Sequence, residues 1–357
     1  METNNHLFPW LELMDRPAFC VKDGIVIEVN SAAAHRLLQP GTDIRQIVTK
    51  HREEYENFDS GCLYLTITIG ELPCSASITR TRECDIFVLQ QDADRDQLQT
   101  LALAAQHLRI PLSNVMTVAD RLLADLDDSE SETRQQAGQI NRGLFQLLRI
   151  VSNMSASANH HSEPFVGMQL ANFTAIFREI MEKAQTISQN TDIALHYTGP
   201  EMPVLGLADS EKLERAVYNL LSNALKFAPK NTAVDAKLYA DENHLTFTIS
   251  NLNEEPIPEH NFWSRYRREP AIEDSRYGLG LGMTLVSSVA AAHGGTVLID
   301  HPGDRQTRVT MTLSLVKNAP GSIRSQILPI GDYAGGRDKA LLEFADILPT
   351  DSYKNIN

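Results

Sequence analysis

The chain has 357 residues, room for two or three domains, and 42% of them are apolar, an ordinary share for a globular protein. No apolar run approaches the roughly 20 residues that cross a bilayer, and a net charge of −14 is the wrong sign for a general nucleic-acid surface. The start carries acidic Glu2 and no basic, apolar leader, so the expected location is cytoplasmic.

Residues 1–90 read as a small mixed domain. Ala18 to Val21 and Ile25 to Val29 are short strand-like runs split by Lys22-Asp23-Gly24, which has hairpin turn chemistry. Asn30 caps a short helix from Ser31, and strand-like segments follow at Leu63 to Ile69, Ser75 to Thr79 and Asp85 to Gln90. This order, with the stretch from Pro17 to Asn30, resembles a PAS sensor domain. The resemblance implies a module that binds a ligand or dimerises. All four cysteines, Cys20, Cys62, Cys74 and Cys84, fall here, and they are expected to be small reduced residues, since their spacings match no zinc pattern.

Residues 91–158 read as a helical hairpin. Leu98, Leu101, Ala105, Leu108, Leu112, Val115, Ala119, Leu122 and Leu126 recur at steps of 3 and 4, a coiled-coil seam. Inside it lies Gln106-His107-Leu108-Arg109-Ile110-Pro111-Leu112. A proline there removes a hydrogen bond and crowds the preceding turn, at a cost of about 3 kcal/mol. With Leu98 at heptad position a, Gln106 and His107 fall at b and c, away from the seam. Thr133, Ala137, Ile140, Leu144, Leu147, Val151 and Met154 repeat the pattern after a short turn with a Ser129/Glu132 capping box. A short turn forces the helices antiparallel, and two such hairpins close into a four-helix bundle. The expectation is therefore a homodimer through residues 91–158. The polar stretch after it, with His160 and His161, reads as a linker.

Residues 159–316 carry alternating helix and strand signals. Asn172 caps an amphipathic helix of Phe173, Ile176, Phe177, Ile180 and Ala184. Strand-like segments lie at Ile193 to Tyr197, Val204 to Leu207, Val234 to Ala240, Leu245 to Ile249 and Val309 to Leu315. A long helix runs from about Asp209 to Ala228. A mixed sheet covered by helices on one face fits this order. Residues 317–357 change character, and Lys339 to Leu348 reads as a short amphipathic helix. Docking on the α/β domain and a partner-binding role both stay open for this extension.

Asn219, Asn223 and Lys226 sit at i, i+4 and i+7, one face of the long helix, while Leu213, Val217, Leu220 and Ala224 occupy another. Carboxamide oxygens can coordinate a hard cation and an ammonium can offset phosphate charge, so the stripe suits Mg²⁺ and phosphate. Gly278-Leu279-Gly280-Leu281-Gly282-Met283 leads directly into a helix, where glycine backbone can approach an anion closely.

Together these segments resemble sensor histidine kinases. Asp209 to Pro229 is similar to the asparagine box of that family, Gly278 to Thr296 to its second glycine box and following helix, and Phe262-Trp263-Ser264-Arg265-Tyr266-Arg267-Arg268 to the phenylalanine box of its lid. The resemblance covers about residues 91–316 and implies a multidomain α+β architecture. Its parts are a PAS-like α/β sensor, an antiparallel hairpin forming a dimeric four-helix bundle, and an α/β sandwich ATPase domain of the type shared with DNA gyrase and a heat-shock chaperone. It further implies Mg-ATP as cofactor, with Asn219 and Asn223 holding the metal, Lys226 on phosphate and Phe227 beside the base. Gly278, Gly280 and Gly282 would shape the triphosphate pocket, under a lid over residues 252–277. Asn251 stands where the family has an aspartate that accepts from adenine, a weaker acceptor without charge.

The phosphoacceptor box departs further. Arg109, Pro111 and Leu112 match the family order His-Glu-x-Arg-x-Pro-Leu, which puts Gln106 at the histidine's place and His107 at the carboxylate's. Glutamine cannot form a phosphoramidate. Two functions stay open. One is a cytoplasmic two-component kinase that autophosphorylates at a displaced His107 and passes the group to a response-regulator receiver domain. The other is a pseudokinase that binds nucleotide and regulates a partner without phosphotransfer. A one-residue step rotates His107 about 100° around the helix, which in-line transfer tolerates poorly. A serine kinase with the same ATP fold is a third reading, disfavoured by the heptad hairpin.

Overall fold

Backbone pairing first follows the N-terminal hairpin signal. In the computed structural model, which describes residues 8–14, 16–36, 38–70, 72–89, 92–124, 131–157, 168–255, 281–316, 333–334 and 336–354, β1 (Ala18–Lys22) turns into β2 (Ile25–Val29). Asp23 and Gly24 take φ of 51° and 79°, the left-handed pair that a two-residue hairpin needs. Asn30 ties this corner: its side-chain oxygen accepts from Ala33 N–H at 2.9 Å, capping α1 (Ser31–Ala34), and from Ala18 N–H at 3.0 Å. Short helices α2 (Ile44–Ile47) and α3 (Arg52–Asn57) lead to β3 (Cys62–Ile69), β4 (Leu72–Arg80) and β5 (Asp85–Leu89). Phe19 stacks on Phe87 at 4.6 Å in the core beneath them. The cysteines are free and all but Cys74 are buried. Cys20 is held protonated first by a hydrogen bond with Cys84 and then by burial.

Helix α4 (Asp92–Ala124) runs through Pro111 without losing its helical assignment, and α5 (Ser131–Ser157) packs beside it. The seam reading holds for only part of each helix within one chain. Ala105, Leu144 and Val151 are buried, yet Leu108, Val115 and Leu122 on α4 and Ile140 and Leu147 on α5 are 51–61% exposed. Conversely α5 buries Asn141, Phe145, Leu148 and Ser152, a row the heptad reading did not single out. A 27-residue helix can serve two neighbours, and this second row meets a segment distant in sequence. Ser129 of the capping box, and His160 with His161, lie outside the described residues.

The later part opens with β6 (Gln169–Asn172), which pairs with β8 (Leu205–Ala208). Asn172 caps α6 (Phe173–Ser188) by accepting from Ala175 N–H. Strands β7 (Ala194–Thr198), β9 (Ala233–Ala240), β10 (His244–Leu252), β11 (Val297–Gly303) and β12 (Gln306–Ser314) make the sheet. Helices α6, α7 (Ser210–Phe227) and α8 (Leu281–Ala292) share its core, where Phe177 meets Phe247 at 5.0 Å. Strands β6 and β11 had no counterpart in the sequence reading.

Strand β11 also joins the two halves. Val297, Leu298 and Ile299 pair antiparallel with Tyr64, Leu63 and Cys62 of β3. The ten-stranded order is β2-β1-β5-β4-β3-β11-β12-β10-β9-β7. Two edge strands, each with unpaired backbone groups, thereby satisfy one another. Gly61 makes the approach possible: with φ +94°, its ideal Cβ position lies 2.0 Å from the Ile299 carbonyl oxygen.

Beyond β12, α9 (Lys339–Glu343) and a 3-10 turn (Thr350–Tyr353) pack on α5, and α9 also on α6 and α7. Asp338 caps α9 through Ala340 and Leu341 N–H. The expected helix to Leu348 stops at Glu343, and of the two roles left open for the extension, this one docks. Tyr353 is fully buried, with its ring 5.2 Å from that of Phe145. Among the described residues no helix is long and apolar enough to cross a membrane.

Candidate functional site

Helix α7 is the scaffold of the site. Asp209 caps it, accepting from Lys212 N–H at 3.1 Å, and the Asp209 N–H donates to His293 Nε2 at 3.2 Å. His293 is buried, and its Nδ1 donates to the Val289 carbonyl at 2.7 Å, which fixes the neutral tautomer. Burial holds its pKa below the ordinary histidine value. The turn after it, Gly294-Gly295, brings backbone against backbone: a Cβ on Gly295 would stand 1.8 Å from the Thr312 carbonyl. The end of α8 is thus stapled to the start of α7 and to β12.

Asn219, Asn223 and Lys226 all lie on α7, but the stripe is covered rather than exposed. Asn219 is buried and donates its Nδ2 to the Arg215 carbonyl at 3.0 Å. Its Oδ1 faces Gly282, where a Cβ would come within 2.8 Å, so a larger residue there would have to displace that oxygen. Asn223, one turn on, has its Nδ2 3.9 Å from Met283 Sδ. Lys226 completes the face, 13% exposed, with Nζ 3.5 Å from Asp346. Phe227 is half-buried at the end of α7. Asn251 lies on β10 and is buried, donating Nδ2 to the Leu252 carbonyl at 2.7 Å, so its Oδ1 is the atom able to accept from a ligand. Gly278, Gly280, most of the lid span and Phe262 to Arg268 lie outside the described residues.

The hairpin box meets α7 elsewhere. Gln106 and His107 are exposed on α4. Arg109, one turn on, lines a cavity of about 240 Å³ with Ser152, Ser155, Lys212, Arg215 and Tyr333. Burial lowers the pKa of Arg215, and Arg109 adds to the effect. Arg215 and Lys226 are separated by about 16 Å of helix at 1.5 Å per residue. Arg109 therefore meets α7 well before its Lys226 end.

Sequence reasoning did not find the group that surrounds Lys226. Arg149 on α5 donates from Nε to Glu343 at 3.2 Å, from one terminal nitrogen to Asp346 at 2.6 Å and from the other to Ser222 at 3.0 Å. The amphipathic reading of residues 339–348 was the one available signal, and it named no partner.

Residues 208–317 match the family described as Histidine kinase-, DNA gyrase B-, and HSP90-like ATPase. Curated relatives agree with it. Hybrid signal transduction histidine kinase D of Dictyostelium discoideum is 25% identical over 259 residues, 70% of this chain and 17% of its own length. Sensor histidine kinase CusS of Escherichia coli K12 is 24% identical, over 64% of this chain and 46% of its own, and Probable sensor protein PcoS of Escherichia coli is 30% identical, over 56% and 43%. Residues 208–317 thus carry the ATPase domain of that family, and the chain is similar to sensor histidine kinases. It spans from 17% to 46% of the length of these relatives. Among solved structures, full-length ShkA in complex with AMPPNP aligns at 19% identity over 62% of this chain and 47% of its own, with a TM-score of 0.48. The mycobacterial sensor histidine kinase MprB aligns at 26% identity over 42% of this chain and 99% of its own, with a TM-score of 0.35. The span matched by the ATPase family holds Asn219, Asn223, Lys226, Asn251 and the glycines, and excludes both the hairpin and the extension after residue 332.

Proposed function

We propose that this chain is an ATP-binding signalling protein of the two-component type, which binds Mg-ATP on α7 and answers to a sensor-like region at residues 1–90. The stripe of Asn219, Asn223 and Lys226 under Gly282 carries the reading. Asn219 Oδ1 and the Asn223 carboxamide are neutral hard oxygens suited to Mg²⁺. With nucleotide bound, the asparagine oxygens, phosphate and water would make up a donor set of the hard oxygens that Mg²⁺ takes. Bound there with nucleotide, Mg²⁺ would offset phosphate charge. Lys226 would bind a phosphate oxygen, Phe227 would flank the base, and Asn251 Oδ1 would accept from the adenine amino group.

Dimerisation through residues 91–158 is part of this proposal, supported by the exposed apolar row of Leu108, Val115, Leu122, Ile140 and Leu147. So are a PAS-type sensor role, a response-regulator receiver domain as partner and a cytoplasmic location. A second reading, regulation without phosphotransfer, is favoured by Gln106 at the acceptor position. Incubation with labelled Mg-ATP separates the two. Acid-labile label that disappears in His107→Ala supports the kinase; saturable Mg-ATP binding with no label supports the pseudokinase. Calorimetry without Mg-ATP binding, in a folded chain, would remove both.

A further inference from the structure

The extension after residue 332 lies outside the matched ATPase family span, yet it reaches Lys226, the cation assigned above to phosphate. Asp346 accepts from Arg149 at 2.6 Å and lies 3.5 Å from Lys226 Nζ. An ammonium with a carboxylate against it and 13% exposure is neutralised and covered.

The surroundings make this seat specific. Glu343 is fully buried between Arg149 Nε at 3.2 Å and Arg215 Nε at 3.7 Å. Arg142 on α5 donates to the Ala345 and Asp346 carbonyls at 3.2 Å each, satisfying groups just past the end of α9. Phe344 meets the ring of Tyr218 edge-on at 5.7 Å. One arginine of the hairpin thus holds the extension and, through Ser222, the helix that carries the phosphate stripe.

Charge and position both bear on what this does. A buried ion network adds little stability over an apolar plug of the same shape, so it is an inefficient way simply to glue two elements. It does respond to a competing anion, and a triphosphate brings more negative charge to Lys226 than one aspartate. With the segment seated, Arg109 lines a cavity with Arg215, about three turns of α7 from Lys226.

We propose that residues 333–354 are an intramolecular clasp whose Asp346 competes with nucleotide phosphate for Lys226 and whose Glu343 keeps the ATPase-type region locked to α5. The proposal rests on the Mg-ATP reading of the α7 stripe. Nucleotide loosens the clasp, and seating the clasp weakens nucleotide binding by the same factor, as linkage requires.

The test uses the full chain, wild type and Asp346→Asn, which keeps an acceptor for Arg149 and removes the charge. Calorimetry with Mg-ATP reads affinity, and amide hydrogen exchange reads residues 339–348 with and without Mg-ATP. The expected result is binding about two- to fivefold tighter in Asp346→Asn, the size of one partly exposed ion pair, with nucleotide speeding exchange in the segment. Binding by Asp346→Asn alone would support the clasp as well. Equal or weaker affinity in the variant, or tighter affinity with no change in segment exchange, overturns the clasp and leaves the ATP reading intact. No binding by either protein overturns the ATP reading and the competition with it.

Discussion

Replacing Glu343 by alanine isolates the buried half of the clasp. Its carboxylate is enclosed, with side-chain exposure of 1%, between two guanidinium groups that are themselves 9–10% exposed. Removing one member of a buried ion pair costs about 3–5 kcal/mol, because the partner charge stays desolvated. Two features bring the expectation to the low end. Arg149 keeps Asp346 and Ser222, and Arg215 keeps Asn153 at 2.9 Å and the face of Tyr333 at 4.7 Å. The loss should be about 3 kcal/mol, or roughly 6–12 °C in Tm at about 2–4 °C per kcal/mol for a domain of this size. Glu343→Gln, isosteric and still able to accept, should lose about 1–3 kcal/mol. Urea unfolding followed by far-ultraviolet circular dichroism gives the difference directly. A double-mutant cycle with Arg149→Met should return a coupling above about 1 kcal/mol. A loss under 1 kcal/mol for Glu343→Ala, with no coupling to Arg149, would show that the segment is not seated and would refute the reasoning.

Three other outcomes follow from the same geometry. His293 is neutral in the fold with its pKa below the unfolded value of 6.5, so the stability it confers is full above that value and is lost as pH falls below it. Stability should therefore decline below pH 6.5, no more steeply than about 1.4 kcal/mol per pH unit for one proton, and His293→Gln should flatten that limb of a pH series of melts. Gly61→Ala would place a Cβ against the Ile299 carbonyl at a positive φ, at a cost of about 1–3 kcal/mol. Hydrogen exchange at Val297 to Ile299 should speed about tenfold or more while Phe19 and Phe87 stay protected, and unchanged exchange there would contradict the continuous sheet. Val115→Asp with Leu122→Asp should give a monomer by sedimentation if the exposed α4 row is a dimer seam; an unchanged sedimentation coefficient would count against that seam.

Local chemistry was legible in the sequence because it is carried by neighbours. Asn30, Asn172 and Asp209 each sit just before a helix and each accepts from the third residue on, a spacing the backbone enforces. The α7 stripe follows from helical period alone, whereas the approach of Gly282 to Asn219 Oδ1 was not legible, since glycine there was read only as room for an anion. Only the tertiary structure decided which distant segments meet. The β3 and β11 ladder joins residues 62–64 to 297–299 through backbone groups, which every residue but proline carries, so no side-chain pattern announces it. Likewise Arg149, Glu343 and Asp346 are unremarkable charges until folding brings them from some 200 positions apart into one water-poor site. There Coulomb terms are strong and each charge needs a partner. Helical period and caps determined what each element is; burial of one element's polar groups by another determined that Lys226 is met by the chain's own carboxylate.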